Sequence, residues 1–435
     1  MNVAVLGLWH LGPVTAAALA ALGHRVVGFD FDEQRVAQLN AGIVPVFEPG
    51  LEDLVRCGLK SGKLRFSSTC REAIQDADVL WITYDTPVDP EGNPDTDWVA
   101  SQIAQAVFGI DTDAVVLVSS QLPVGSLRRL EQAAGLRSPD RPLRVACSPE
   151  NLRLGSAVHD FLHPARIVVG VRSDRDRESL SRLMGSITAS IEWMSVESAE
   201  MTKHAINAFL AASIAFANEI ASICESVGAE AKEVERGLKG DRRIGPRAYL
   251  APGGPFAGGT LARDVVFLNR TASASRLNTP LLSSVLSSNE HHKSWVTHKL
   301  RALFDPLSRL TVTLWGLAYK AQTDTLRGSL AVELCEWLIR EGAMVNVHDA
   351  RVTELPRHWG DAVKRFDHPI EALRGADALI ITADSALYRS ISPAQLPSSP
   401  ARFVVLDADR VLGMAHGGAP ANLHYFAVGL PARET

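Results

Sequence analysis

Residues 2–30 read NVAVLGLWHLGPVTAAALAALGHRVVGFD, and this stretch decides the fold class. Asn2 to Leu6 is a short apolar run that stops at Gly7, the pattern of a buried parallel strand. Residues 13–22 predict a helix, with Pro13 tolerated in its first turn. Arg25 to Phe29 is a second strand, and it ends at Asp30. Together they form a βαβ unit. A carboxylate at the end of the second strand suits the hydroxyls of an adenosine ribose. The glycine fingerprint is incomplete. In Gly7-Leu8-Trp9-His10-Leu11-Gly12, Trp9 stands where a glycine lets the backbone approach a pyrophosphate. The stretch is apolar like a signal peptide, but it lacks a basic leader, and His10 and Gly12-Pro13 interrupt it.

Further strand candidates follow at Val79 to Thr83, Val115 to Ser119, Leu143 to Cys147 and Ile167 to Val171, mostly separated by helical stretches. This alternation predicts a doubly wound α/β sheet that binds ligands at its carboxyl strand ends. Tyr84-Asp85-Thr86-Pro87, Gln121-Leu122-Pro123 and Ser148-Pro149-Glu150 all fall at such ends. A second α/β unit starts at Leu310 to Trp315. Its helix spans 329–341 before Gly342, and its further strands are Met344 to His348, Leu379 to Thr382 and Phe403 to Leu406. LPSSPAR (396–402) reads as a loop.

Between the halves, residues 197–227 form a long helix with no glycine or proline, apolar on most sides. Lys203 and Asn207 share one face of it. The loop GGPFAGGTLARD (253–264) follows, with four glycines and then Thr260, Arg263 and Asp264. Its glycines let the backbone approach a ligand closely, and its end predicts a helix N-terminus. The expected architecture is therefore α/β, two Rossmann-like doubly wound domains joined by a long central helix. The expected boundaries are 1–195, 196–300 and 301–435.

A chain of 435 residues with 46% hydrophobic and 21% charged residues fits a globular protein of two or three domains. The net charge of −5 provides no footprint for nucleic acid or an anionic membrane. No apolar run reads as long enough to span a bilayer. The five cysteines form no CxxC pair, which points to a reducing, cytoplasmic setting and away from structural zinc. The histidines show no metal-ligand spacing.

Over nearly its whole length the chain resembles the UDP-glucose/GDP-mannose dehydrogenases. The matching stretches are FEPGL (47–51), DTP (85–87), PVG (123–125), SPENLRLGSAVHDF (148–161), SAEMTKHAINAFLA (198–211), RIG (243–245), GLAYKAQTDTLR (316–327) and DADRVL (407–412). The resemblance implies an NAD-binding domain, a central helical dimerisation domain and a C-terminal domain for the nucleotide of the sugar. It also implies oxidation of the C6 alcohol of a nucleotide sugar by two NAD through an aldehyde and a cysteine thioester.

Carried over residue by residue, the resemblance implies a proton-transfer role for Glu150 and oxyanion donors at Lys203 and Asn207. It implies activation of the hydrolytic water by Asp264. Cofactor contacts are implied at Gly7, Leu11, Gly12, Asp30, Thr86, Pro87, Arg263 and Arg327. Substrate contacts are implied at Gln121, Leu152, Arg243, Tyr249, Leu250, Gly254, Phe256, Lys320 and Arg410, with Arg243 reaching a neighbouring subunit. Tyr249, Leu250 and Phe256 tilt the nucleotide towards UDP. Asp30 favours NAD over NADP, because its charge repels a 2′-phosphate.

Several positions depart from the family pattern. Thr260 stands where the family has its nucleophilic cysteine, and Arg263 replaces a lysine. Gln121 replaces a threonine, Leu154 a second glutamate, and Trp9 the middle glycine. A threonine hydroxyl is much harder to ionise than a thiol. Cys147, just before Ser148-Pro149-Glu150, is the cysteine placed to approach the site. Three readings stay open: a 6-dehydrogenase that works without covalent help, a single-step or epimerase-like enzyme with retained NAD, and a catalytically silent nucleotide-sugar-binding subunit.

Overall fold

The structure is a computed structural model. It describes residues 1–87, 95–107, 113–137, 143–150, 152–257, 259–319, 325–326, 328–397, 402–414 and 422–431. The chain forms two compact units, Met1–Ile206 and Asn207–Thr435.

The first unit is built on eight strands: β1 (Asn2–Leu6), β2 (Arg25–Phe29), β3 (Leu64–Ser67), β4 (Val79–Ile82), β5 (Val115–Val118), β6 (Val145–Cys147), β7 (Ile167–Gly170) and β8 (Ile191–Met194). They lie in the order β3-β2-β1-β4-β5-β6-β7-β8. All pairs are parallel except β6 with β7, which meet antiparallel at Cys147 and Gly170. Alternating residues feed two cores. Val3, Val5, Trp81 and Leu117 fill one, and Ala4, Leu6, Leu80 and Val116 fill the other. The order reverses between β1 and β4, which opens a crevice at their carboxyl ends. The helix expected over 13–22 starts earlier, at Leu11, and runs to Ala21. The short strands β3 and β8 escaped the sequence reading because their charged residues break the apolar run.

The second unit carries a parallel sheet of β9 (Thr311–Trp315), β10 (Met344–His348), β11 (Val363–Arg365), β12 (Ala378–Ile381), β13 (Phe403–Asp407) and β14 (Leu423–Phe426). Their order is β11-β10-β9-β12-β13-β14. The long helix Val196–Val227 contributes residues to both units. By length and composition alone this helix could cross a bilayer, so the expectation that no segment was long enough is corrected. Its polar side chains are met by protein groups: His204 Nε2 lies 2.9 Å from the Leu122 carbonyl, and Asn218 accepts from Gly253 N–H at 3.0 Å.

The two sheets repeat one strand–turn–helix device in atomic detail. Gly7 and Gly316 adopt φ of 96° and 102°, a left-handed region open to glycine. Each donates its N–H across the sheet, to Phe29 and His348 respectively, both at 2.9 Å. The next N–H, of Leu8 or Leu317, goes to Asp30 or Asp349 at 2.7 Å. A threonine hydroxyl closes each turn from the neighbouring strand. Thr83 donates to Gly7 O at 2.9 Å, and Thr382 donates to Gly316 O at 2.7 Å.

The two aspartates differ. Asp349 is saturated by the N–H groups of Leu317, Ala318, Arg351 and Val352. Burial opposes its ionisation, but these four donors hold its carboxyl below the usual range. Asp30 receives Leu8 N–H, Asp32 N–H and the Arg35 guanidinium.

Candidate active site

The cofactor turn lies at the carboxyl end of β1. A Cβ at Gly7 would fall 2.8 Å from the Tyr84 backbone nitrogen, and one at Gly12 only 1.9 Å from Gly7 O. Both glycines are therefore required by close approach, at the first and third positions of the fingerprint. Leu11 is buried at the start of the helix. Trp9, at the middle position, is 49% exposed, and the Arg35 guanidinium lies 5.3 Å from its ring centroid. Arg35 also donates to Asp30 at 2.9 Å, so it belongs to this turn although the sequence reading missed it. A cation five residues after the strand-end aspartate, in the next helix, was the available signal.

A second layer links the turn to the loop after β6. Glu48, in FEPGL, is fully buried. It accepts from the His10 ring at 2.8 Å, Gly155 N–H at 2.9 Å and Ala157 N–H at 3.1 Å. Glu200 plays a similar part below PVG, accepting from Gly125 N–H at 2.7 Å and Leu127 N–H at 3.1 Å. Two stretches that looked like site motifs thus pin loops in place.

Glu150 stands on the pinned loop, and its carboxylate accepts from Leu152 N–H. Burial raises its pKa, with the Lys203 ammonium and that N–H working against the rise. Lys203 Nζ donates to the Glu150 carbonyl at 2.7 Å rather than to its carboxylate. A cavity of about 520 Å³ opens beside Glu150 and Leu152, lined also by Leu11, Thr83, Ser148 and Arg166. Thr86 donates to the Gln121 carbonyl at 3.0 Å, and Pro87 is exposed next to it. Cys147 is buried, and burial followed by the Glu200 charge pushes its thiol far above the ordinary range. This counts against Cys147 as a thiolate nucleophile.

The second unit holds the glycine loop and the helix Thr260–Ala274 that follows it. Asparagines hold the loop backbone. Gly253 N–H donates to Asn218 at 3.0 Å, and Phe256 exchanges bonds with Asn289 at 2.9 and 2.8 Å. Gly254 N–H donates to Asp409 at 2.7 Å, and a Cβ at Gly253 would sit 2.3 Å from that carboxylate. Phe256 packs in a core with Ala211, Ala215 and Val265. Thr260 is the first residue of the helix and is exposed. Asp264, one turn on, is fully buried and accepts from Asn207 Nδ2. The Arg263 charge acts on the Tyr319 phenol, whose tip leaves no room for a side chain at Gly259.

Other expected contacts lie elsewhere on this unit. Arg243 is 88% exposed in its side chain and pairs with Asp241 at 2.7 Å. Tyr249 is exposed and Leu250 half-buried. Arg410, at φ 58°, pairs with Glu230 at 2.7 Å and donates to the Val428 carbonyl at 3.1 Å, an internal anchor. Lys320 and Arg327 lie outside the described residues.

Comparison with known proteins settles the family. The UDP-glucose/GDP-mannose dehydrogenase family matches through its NAD binding domain over residues 1–188, its central domain over 197–291 and its UDP binding domain over 313–414. The chain belongs to this family. It is an NAD-dependent nucleotide-sugar dehydrogenase. It is 34% identical over 403 residues to a UDP-glucose 6-dehydrogenase of Pseudomonas aeruginosa, covering 89% of each chain. It is 30% identical to UDP-glucose 6-dehydrogenase YwqF of Bacillus subtilis, covering 99% of this chain and 98% of that one. A solved UDP-glucose dehydrogenase from Pyrobaculum islandicum superposes with a TM-score of 0.84 at 31% identity, covering 99% and 98% of the two chains.

The NAD binding domain fits its cofactor in the residues present. The two glycines leave room for a phosphate-bearing ligand at the helix start, and Asp30 follows β2, a strand-end position that suits a ribose hydroxyl. The pinned loop suggests a test. In Glu48→Leu the Gly155 and Ala157 N–H groups and the His10 ring lose their acceptor. Stability is expected to fall by about 3 kcal/mol. NAD should also raise the melting temperature less than in the wild type. Equal melting curves with and without NAD for the two proteins would contradict this role for Glu48.

Proposed function

We propose that this enzyme oxidises a UDP-glucose-like nucleotide sugar at C6 without forming a cysteine thioester. The observation that carries the reading is the start of the loop helix. Thr260 occupies its first position, no cysteine lies between residues 253 and 264, and the buried pair Asp264–Asn207 sits one turn away. Support for the substrate comes from relatives named UDP-glucose 6-dehydrogenases that align over most of the chain.

In this reading Glu150 takes the proton from the C6 hydroxyl, directly or through water. Its raised pKa brings a carboxylate towards the working range of a base near neutral pH. Lys203 and Asn207 are donors towards the oxygen that becomes negative. NAD, when bound, accepts the hydride from the same carbon. Asp264, already hydrogen-bonded by Asn207, draws the proton from the water that adds to the aldehyde. The hydrate then loses a second hydride, so the carboxylate product accounts for two reduced cofactors and one consumed water. Thr260 hydrogen-bonds to the sugar rather than attacking it, because its hydroxyl resists ionisation. The remaining expected contacts, among them Arg263, Gln121, Tyr249, Leu250 and Gly254, belong to the same reading.

The long helix carries an exposed apolar stripe of Phe209, Phe216, Ile223 and Val227, with 71% of Phe209 accessible. We infer a homodimer that covers this stripe. The five free cysteines, with no disulfide, fit a cytoplasmic enzyme.

Counting NADH per UDP-glucose consumed tests the reaction. The expected result is two equivalents with a uronate product. One equivalent with an aldehyde, or an isomer with none, would favour single-step or epimerase-like chemistry instead. The Thr260→Cys variant is expected to speed aldehyde oxidation about tenfold and leave the alcohol step little changed. A variant no faster than wild type in that step would remove the loop from the account. Because Glu150 must be ionised, the rate of the alcohol step should rise with pH through its raised pKa. For the dimer, Phe216→Glu is expected to shift the mass measured by light scattering from two chains to one. A wild type that already runs as a monomer would dispose of the interface.

A further inference from the structure

The first helix of the NAD domain, Leu11–Ala21, has no acidic residue in its first turn and no side-chain cap at His10. Its leading N–H groups form the positive end of the helix, where a dinucleotide's pyrophosphate is held. A side chain points there. Asp85, just beyond β4, accepts the His10 N–H at 3.3 Å through its Oδ2. Asp85 also stands at the reversal of strand order between β1 and β4, the point where such sheets bind their ligand.

We propose that Asp85 sets the cofactor affinity of this enzyme, its carboxylate holding the anion position at the start of the first helix until NAD replaces it. This rests on the NAD-binding assignment and extends it to a residue that neither the fingerprint nor the strand-end aspartate reveals.

Two anions do not share such a site without cost, because charges close together in a partly buried crevice repel strongly. For the pyrophosphate to bind, Asp85 must turn away or take up a proton. The surroundings favour the proton. Burial raises the Asp85 carboxyl above its ordinary value, and the His10 N–H, the His10 ring and Arg35 oppose that rise. The charged neighbours come from every side. His10 leads the first helix with Glu48 on its ring, Arg35 comes from the next helix, Glu150 from the loop after β6, and Lys203 from the long helix. The Asp85 charge in turn pushes the Glu150 carboxyl up.

The sign of the linkage follows. Protonated Asp85 admits the pyrophosphate, so NAD binds most tightly on the acid side. Affinity falls as pH rises through the raised Asp85 pKa and levels off once the carboxylate is fully charged.

Calorimetric titration of the whole protein with NAD, and with ADP-ribose as a probe that keeps the pyrophosphate and lacks only the nicotinamide, tests this. Wild type and Asp85→Asn are compared from about pH 5.5 to about pH 8.5. The Asn variant is expected to bind both ligands about tenfold more tightly at the alkaline end. Its pH dependence should be shallower than wild type. Asp85→Ser, which removes the charge with a smaller side chain, should reproduce the gain and guards against a folding defect in one variant. Binding by the variants that is equal to or weaker than wild type at every pH, or an unchanged slope, would overturn the proposal alone. Absence of NAD binding in wild type and variants together would overturn it along with the cofactor assignment.

Discussion

A strand that ends in a left-handed glycine leaves the next N–H pointing out of the sheet, and a carboxylate on the neighbouring strand must meet it. This pairing, Leu8 to Asp30 and again Leu317 to Asp349, is the constraint on which both units depend. It fixes the angle at which the chain leaves the strand and therefore where the following helix begins. The threonine clasps of Thr83 and Thr382 then tie the turn to the strand across the switch. The two turns differ at the carboxylate. Asp349 is wholly engaged by backbone N–H groups, whereas Asp30 shares its charge with the Arg35 side chain.

The same economy governs the loops. Buried glutamates do work that the sequence would assign to ligands. Glu48 and Glu200 each satisfy two backbone N–H groups of a loop distant in sequence. A buried charge is stable only when such donors surround it. These anchors hold the loops around the cavity that Glu150 lines. In the second unit the asparagines Asn218 and Asn289 serve the glycine loop in the same way, with neutral amides that donate and accept at once.

The alternation of strands and helices was legible from residues 2–30 onward because fully buried parallel strands leave an unmistakable apolar signature. β3 and β11 were not legible, since each carries a charge at an exposed edge. The backbone demands were legible at Gly7 and Gly12, where a Cβ would meet its neighbours. The site was less legible where a residue's partner lies far along the chain. Arg410 looks like a free cation in sequence, and only the fold reveals Glu230, 180 positions away, as its partner. Lys203 reads as a donor in sequence, and the fold shows one acceptor for it, a backbone carbonyl on the loop after β6. Asp85 was quoted within a strand-end turn but given no role of its own, because a lone carboxylate in a turn carries no spacing rule.

Trp9 was first noticed as a lapse in a glycine fingerprint. In the structure it is a half-exposed indole beneath Arg35, on the glycine turn after β1. An indole in that place is sensitive to the charge and solvent around it. The enzyme therefore carries an intrinsic optical probe at this glycine turn. Occupancy of the site can be followed by light without attaching a label to the molecule.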